Sequence, residues 1–228
     1  MTEPADRINA AALLLARGLP SQAAVAGPDG SADYAALRSQ VAQAAGAWHD
    51  FGVEPGEVVL LRLPPGLERS VAFLGAIWAG AVPVPLGEGD EGHRGDPWDA
   101  HAPARFILAA SRAGYASAWR DSVLTRLEWR AGLGAAGAAE PVALPPQAPC
   151  CWTEPRRRGG DGARLLRHAF AQLQPREVPS AGGEPVEAPT MLALLRALRR
   201  GASAVIGDAA GAGSAPRRTA PAEALALP

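Results

Sequence analysis

Residues 52–86 read GVEPGEVVLLRLPPGLERSVAFLGAIWAGAVPVPL, and this stretch decides the fold. Glu57 to Leu63 is β-branched and leucine-rich, which describes a buried strand. Pro64-Pro65-Gly66 breaks it, and Leu67, Val71, Leu74 and Trp78 then recur at helical spacing until Gly80 closes the helix. Val82-Pro83-Val84-Pro85-Leu86 is extended, because each proline biases its predecessor away from the helical region. Strand, helix and strand in this rhythm imply a right-handed crossover. The predicted class is α/β, a mostly parallel sheet flanked by helices.

Working outward, Ile8, Ala11, Ala12 and Leu15 mark a short amphipathic helix stopped by Gly18, and Gln22 to Ala26 reads as a strand. Gly27-Pro28-Asp29-Gly30 is turn chemistry. Asp33 is placed to cap a helix with the apolar stripe Leu37, Val41, Ala44, Ala45 and Trp48, which Gly52 ends. Downstream, Gly87 to Pro103 is a polar loop and Arg105 to Ala109 a strand. Ser111 to Trp129 reads as partly helical, and 131–149 as a weakly structured Ala/Gly/Pro linker. Cys150 to Thr153 is a short strand, Arg164 to Gln174 a helix, and Met191, Leu194, Leu195 and Leu198 the face of another helix ending at Gly201. Ala202 to Asp208 is the last strand. Residues 1–208 are taken as one folded unit and 209–228, rich in Ala, Gly, Pro, Ser and Arg, as a disordered tail.

Composition narrows the function. Aromatic residues make up only 5% and much of the apolar content is alanine, so the core is expected to be modest. A formal net charge of −1 provides no field for nucleic acid or an anionic membrane, and no apolar run approaches the ~20 residues of a span. Glu3 and Asp6 outweigh Arg7 where an export signal needs a positive end, and the adjacent Cys150 and Cys151 suit a reducing compartment, so a cytoplasmic setting is expected. The chain contains no lysine; every fixed positive side chain is an arginine fork rather than a compact ammonium.

Three segments, Asp33-Tyr34-Ala35-Ala36-Leu37, Gly52-Val53-Glu54-Pro55-Gly56-Glu57-Val58 and Ala76-Ile77-Trp78-Ala79-Gly80-Ala81-Val82-Pro83-Val84-Pro85-Leu86, resemble in order and spacing the start of the AMP-forming adenylating superfamily. The closest likeness is to its benzoate-type CoA ligases. Pro149-Cys150-Cys151-Trp152-Thr153 resembles the strand that leads into that family's phosphate loop, and Leu194 to Asp208 a later segment. The resemblance implies the first part of the large domain of an adenylate-forming enzyme, a partial AMP-binding domain over 1–208 covering well under half of a full ligase. The small domain and the later nucleotide-binding motifs would lie beyond Pro228.

The same resemblance locates the chemistry. The family's loop, Ser/Thr-Gly-Ser/Thr-Thr-Gly-x-Pro-Lys, brings backbone N–H groups, hydroxyls and an ammonium to the ATP phosphates. Here the corresponding residues are Glu154-Pro155-Arg156-Arg157-Arg158-Gly159-Gly160-Asp161-Gly162-Ala163-Arg164, without a Ser, Thr or Lys. Arg156, Arg157, Arg158, Gly159, Gly160, Gly162 and Arg164 are the candidate phosphate-binding residues; guanidinium forks beside glycines suit an anion, but short charge clusters are usually plain surface, and a solvated degenerate loop is the preferred reading.

Other groupings carry less. His93 and His101 with Asp90, Glu91, Asp96 and Asp99 match no closed metal-ligand spacing, so no metal site is expected. Trp48 and Trp78 fall on apolar helix faces and read as core, and His49 sits near a helix end as a solvent-facing group. Cys151 with His168 as base lacks a third orienting group, so no catalytic residue is assigned.

The adopted reading is a non-catalytic acyl-CoA-synthetase-like protein, an accessory subunit binding an intact ligase, a carrier protein or itself, with no cofactor of its own. A divergent or split AMP-forming acyl- or aryl-CoA ligase, taking ATP or AMP and Mg and using Arg for Lys, is the second reading. A decayed gene product is the third. Ending the resemblance near Asp208 also implies uncovered apolar surface, with Leu192, Leu195 and Leu198 the expected exposed residues.

Overall fold

The computed structural model describes residues 7–86, 104–113, 115, 120–153, 166–169, 186–187 and 190–207. In chain order these form α1 (Ala10–Leu15), β1 (Ala23–Gly27), β2 (Gly30–Asp33), α2 (Tyr34–Asp50), β3 (Val58–Arg62), α3 (Leu67–Trp78), β4 (Val82–Pro85), β5 (Ala104–Ala109), β6 (Val123–Thr125), α4 (Arg126–Ala135), β7 (Pro149–Thr153), β8 (Leu166–Ala169), β9 (Val186–Glu187), α5 (Met191–Arg199) and β10 (Ala204–Val205).

Strands β4-β3-β5-β6 make one all-parallel sheet, in that order, with Leu60 opposite Val84 on one side and Ile107 on the other. β4 tolerates two prolines because it is an edge. Val82 and Leu86 donate their N–H groups to the carbonyls of Glu57 and Leu61, so Pro83 and Pro85 occupy the positions facing away from β3. A second sheet, β2-β1-β10-β9, is parallel except for β2, and α3 touches strands of both sheets. Every residue of α3 from Ser70 to Trp78 is buried, as expected of a helix enclosed on all sides.

α3 starts after Gly66, which has no capping side chain of its own. The cap comes from the β1–β2 turn: the Asp29 carboxylate accepts hydrogen bonds from the N–H groups of Leu67 and Glu68 at 2.6 and 2.9 Å. Gly66 permits this approach, since a Cβ there would stand 2.3 Å from Asp29 Oδ1. At the other end of α3, buried Asn9 donates through Nδ2 to the carbonyls of Ile77, Trp78 and Val142 while its Oδ1 caps α1.

The turn at 27–30 forms as expected, and residues 30–33 then return as β2 along β1 to make it a hairpin. Three expectations are corrected. Leu166–Ala169, expected within a helix, is strand β8, its backbone groups matched by β7. The 131–149 segment is not a weak linker: α4 runs to Ala135, and residues 136–148 form a strap that turns at its end, where Ala148 N–H bonds to Pro145 O. The strap is held by Ala139 N–H to Ala42 O, Val142 N–H to Trp78 O, Trp78 Nε1–H to Ala139 O and an antiparallel bridge between Leu144 and Ile8. Finally, Leu195 and Leu198 are fully buried in the main core and Leu192 is half-buried, because α5 packs inward on α1 and β10. The expected tail, 209–228, lies outside the described residues.

α3 and α4 are joined by charge. Glu68 accepts from Arg126 at 2.7 Å and from Arg130 at 2.9 Å. Burial pushes the Glu68 carboxyl up, but the hydrogen bonds and charges of Arg130 and Arg126 outweigh it and leave it below the ordinary carboxylate range. A depressed folded-state value means that the stabilisation is present at neutral pH and fades as pH falls through and below the usual Glu range of about 4. Glu68→Gln should therefore lower the melting temperature at pH 7 by a few degrees and have a smaller effect at pH 3. Equal losses at both pH values would contradict this.

Candidate functional site

The candidate site is the β7–β8 hairpin. The strands pair antiparallel, with Cys151 opposite His168, Trp152 opposite Arg167 and Thr153 opposite Leu166, so residues 154–165 connect two fixed strand ends. β7 is seated against the edge strand β4, and Trp152 packs on the cluster formed by Leu60, Val84, Leu86, Ile107, Ala109 and Val123. Successive strand residues point to opposite faces, yet Cys150 and Cys151 are both buried, since the root of the hairpin is covered on both sides. Cys150 Sγ donates to the carbonyl of His168 at 3.4 Å.

Each member of the seven-residue phosphate-loop candidate, Arg156, Arg157, Arg158, Gly159, Gly160, Gly162 and Arg164, falls between the two strands and outside the described residues. The structure thus describes the frame of the loop. The polar grouping of Asp90, Glu91, His93, Asp96, Asp99 and His101 also lies outside them. Among the described residues no three His, Cys, Asp or Glu side chains gather to hold a metal ion, and no helix is long and apolar enough to cross a membrane.

Electrostatics at the hairpin root do not support a thiolate nucleophile. The hydrogen bond with Cys150, then burial, push the Cys151 thiol well above its usual range, so it stays protonated at neutral pH. His168 moves the other way: burial, then the charge of Arg196, lower it, which keeps the imidazole neutral. The two groups share a register position but not the thiolate–imidazolium character that catalysis needs. Tyr34 is likewise a structural group, its hydroxyl donating to Ala202 O and pushed up to about 12 by burial.

Sequence reading missed two arrangements. Arg62, the last residue of β3, lies with its guanidinium carbon 5.5 Å from the Tyr115 ring centre, at the C-terminal side of the parallel sheet where open α/β folds hold ligands. A charged residue closing an otherwise apolar strand is the signal that marks it. At the end of β6, Thr125 and Glu128 form a capping box that opens α4, and Arg112 pairs with Glu128 at 2.7 Å. The Thr-x-x-Glu spacing announces that cap.

Comparison with known proteins places this geometry. A family model described as AMP-binding enzyme matches residues 15–139. The salicyl-AMP ligase / salicyl-S-ArCP synthetase of Mycobacterium tuberculosis is 44% identical over 55 residues, 24% of this chain and 10% of that protein. The phenyloxazoline synthase MbtB of a Mycobacterium species is 36% identical over 90 residues, 40% of this chain and 8% of its own length. Among solved structures, a benzoate CoA ligase from Burkholderia xenovorans LB400 superposes with a TM-score of 0.67 at 23% identity, over 88% of this chain and 45% of the ligase. The chain thus matches about a tenth of the curated relatives and under half of that ligase, whose likeness is one of fold.

Proposed function

We propose, from the premise that this chain belongs to the AMP-binding enzyme family, that it is a non-catalytic acyl-CoA-synthetase-like protein. It serves in the cytoplasm as an accessory unit that binds an intact ligase, a carrier protein or another copy of itself. The observation that carries this reading is the contrast across the β7–β8 hairpin. Both strands are present and anchored, whereas the residues between them, Glu154 to Arg164, include no Ser, Thr or Lys.

Adenylation places growing negative charge on the ATP phosphates, and the groups that meet it must already be oriented. Three glycines leave backbone N–H groups available, and Arg156, Arg157, Arg158 and Arg164 supply charge. Hydroxyl donors and the compact ammonium have no replacement in this loop, since a guanidinium presents a wider planar fork. Removing one oriented donor from such a site costs about 100- to 1,000-fold in turnover. Several are missing here, so the product is negligible turnover. ATP would accordingly find positive charge at this position without the hydroxyl donors.

The test is carboxylate-dependent pyrophosphate release from ATP and Mg, with aromatic and aliphatic acids offered in turn. The expected rate equals that of a heat-killed control. Turnover clearly above the control would overturn the proposal in favour of a divergent or split ligase in which arginine does the work of lysine.

A further inference from the structure

Most described arginines are engaged. Arg105 pairs with Glu57, Arg112 with Glu128, and Arg126 and Arg130 with Glu68. Arg7 and Arg69 donate to carbonyls, and Arg38 and Arg62 stand over the rings of Trp78 and Tyr115. The end of α5 is different. Arg196, Arg199 and Arg200 are spaced i, i+3 and i+4 around its last turn, with Arg196 and Arg200 exposed, and none pairs with a described carboxylate.

The backbone of a fourth arginine passes the same helix end. The Arg17 segment lies against Gly201, where a Cβ would stand 2.9 Å from the Arg17 carbonyl oxygen, and Gln22 Nε2 donates to Gly201 O at 2.7 Å. Arg17 likewise has no carboxylate partner among the described residues. Basic side chains in a last turn complement the helix dipole, which accounts for one or two of them. The rest repel one another, because like charges three and four residues apart are neighbours.

We propose that this arginine face, Arg196, Arg199 and Arg200 of α5 with Arg17 beside its end, docks an acidic segment of a partner protein whose carboxylates recur at helical spacing. A duplex nucleic acid fits less well, because the basic surface is confined to one helix end and the chain's formal net charge is −1. An anionic membrane fits less well too: Leu194, Leu195 and Leu198 of α5 are committed to the core and cannot anchor in lipid. The inference rests on the end of α5 and the Arg17 segment beside it, and holds whether or not the chain releases pyrophosphate.

Fluorescence anisotropy tests it, with the purified chain and a labelled helical peptide bearing Glu at i, i+3, i+4 and i+7, alongside the same peptide with Gln. The Glu peptide should bind, more weakly as salt rises, and the Gln peptide should not. The double charge reversal R196E/R200E should weaken the Glu peptide by about tenfold or more, while R196K/R199K/R200K, which keeps the charge, should retain it. Melting curves show that each variant folds, and Arg17→Gln serves as a milder second probe. The proposal is overturned by no binding of the Glu peptide, equal binding of Glu and Gln peptides, unchanged affinity in R196E/R200E, or tighter binding of short duplex DNA or phosphatidylserine vesicles.

Discussion

Gly46→Val is expected to destabilise the chain by about 3 kcal/mol or more, at the upper end of what overpacking costs. Gly46 lies on α2 where the 136–148 strap crosses it, and a Cβ at this position would stand 1.9 Å from the carbonyl oxygen of Gly137. That neighbour is backbone, so no rotamer change relieves the overlap, and valine adds two further carbons. The strap must lift. Lifting it endangers the hydrogen bonds of Ala139 to Ala42, Trp78 Nε1 to Ala139 and Val142 to Trp78, at 2.9, 2.8 and 2.8 Å, each worth about 1 kcal/mol net. Urea denaturation should show a large drop in midpoint, and limited proteolysis should cut within 136–148 first. Gly134→Ala is the control: it sits in α4 with nothing within 4 Å of an added Cβ, and should be neutral or stabilising by up to about 1 kcal/mol. A Gly46→Val protein as stable as the parent would mean the strap is not seated as described.

Trp129→Ala should cost about 3–5 kcal/mol, the range for deleting a buried large aromatic. Trp129 is the one fully buried residue of α4, its ring centre 4.5 Å from that of Trp48 on α2 and 6.3 Å from that of Phe51. These contacts dock α4 on α2, beside the ion pairs of Glu68. Trp129→Phe should be much milder, since Trp129 Nε1 has no hydrogen-bond partner to lose and the ring stack is kept in part. Thermal or chemical unfolding reads both variants. A loss below about 1 kcal/mol for the alanine variant would show that α4 is peripheral.

What was legible in the sequence was what local chemistry decides. Leu67 to Trp78 is an apolar helix between a Pro-Pro-Gly break and Gly80, and the structure ends α3 at those punctuation marks. Asp33 caps α2 through its side chain, as residues of that type do before an apolar period. What was illegible depends on partners distant in the chain. β2 and β8 are short and weakly patterned, and each exists because a neighbouring strand takes up its backbone groups. The strap has the composition of a linker, and its order comes from main-chain bonds to α2, α3 and Ile8 that no side-chain pattern announces.

The candidate site divides along the same line. Pro149 to Thr153 was readable as the strand entering the phosphate-loop position, and the structure adds the return strand that makes the frame a hairpin. The direction of α5 is not legible from its own residues, because its leucines are covered by α1 and β10 through packing that the helix pattern does not specify. That inward packing is also what presents the arginines of α5 to solvent.

Isothermal titration of the chain with ATP in the presence of Mg tests the central claim most directly, since the β7–β8 frame is intact and only the residues inside it depart from the family's loop. The account predicts no saturable heat up to millimolar nucleotide, a binding free energy weaker than about −4 kcal/mol. Saturable binding of ATP at micromolar concentration would show that Arg156, Arg157, Arg158 and Arg164 hold the phosphates after all, and would contradict it.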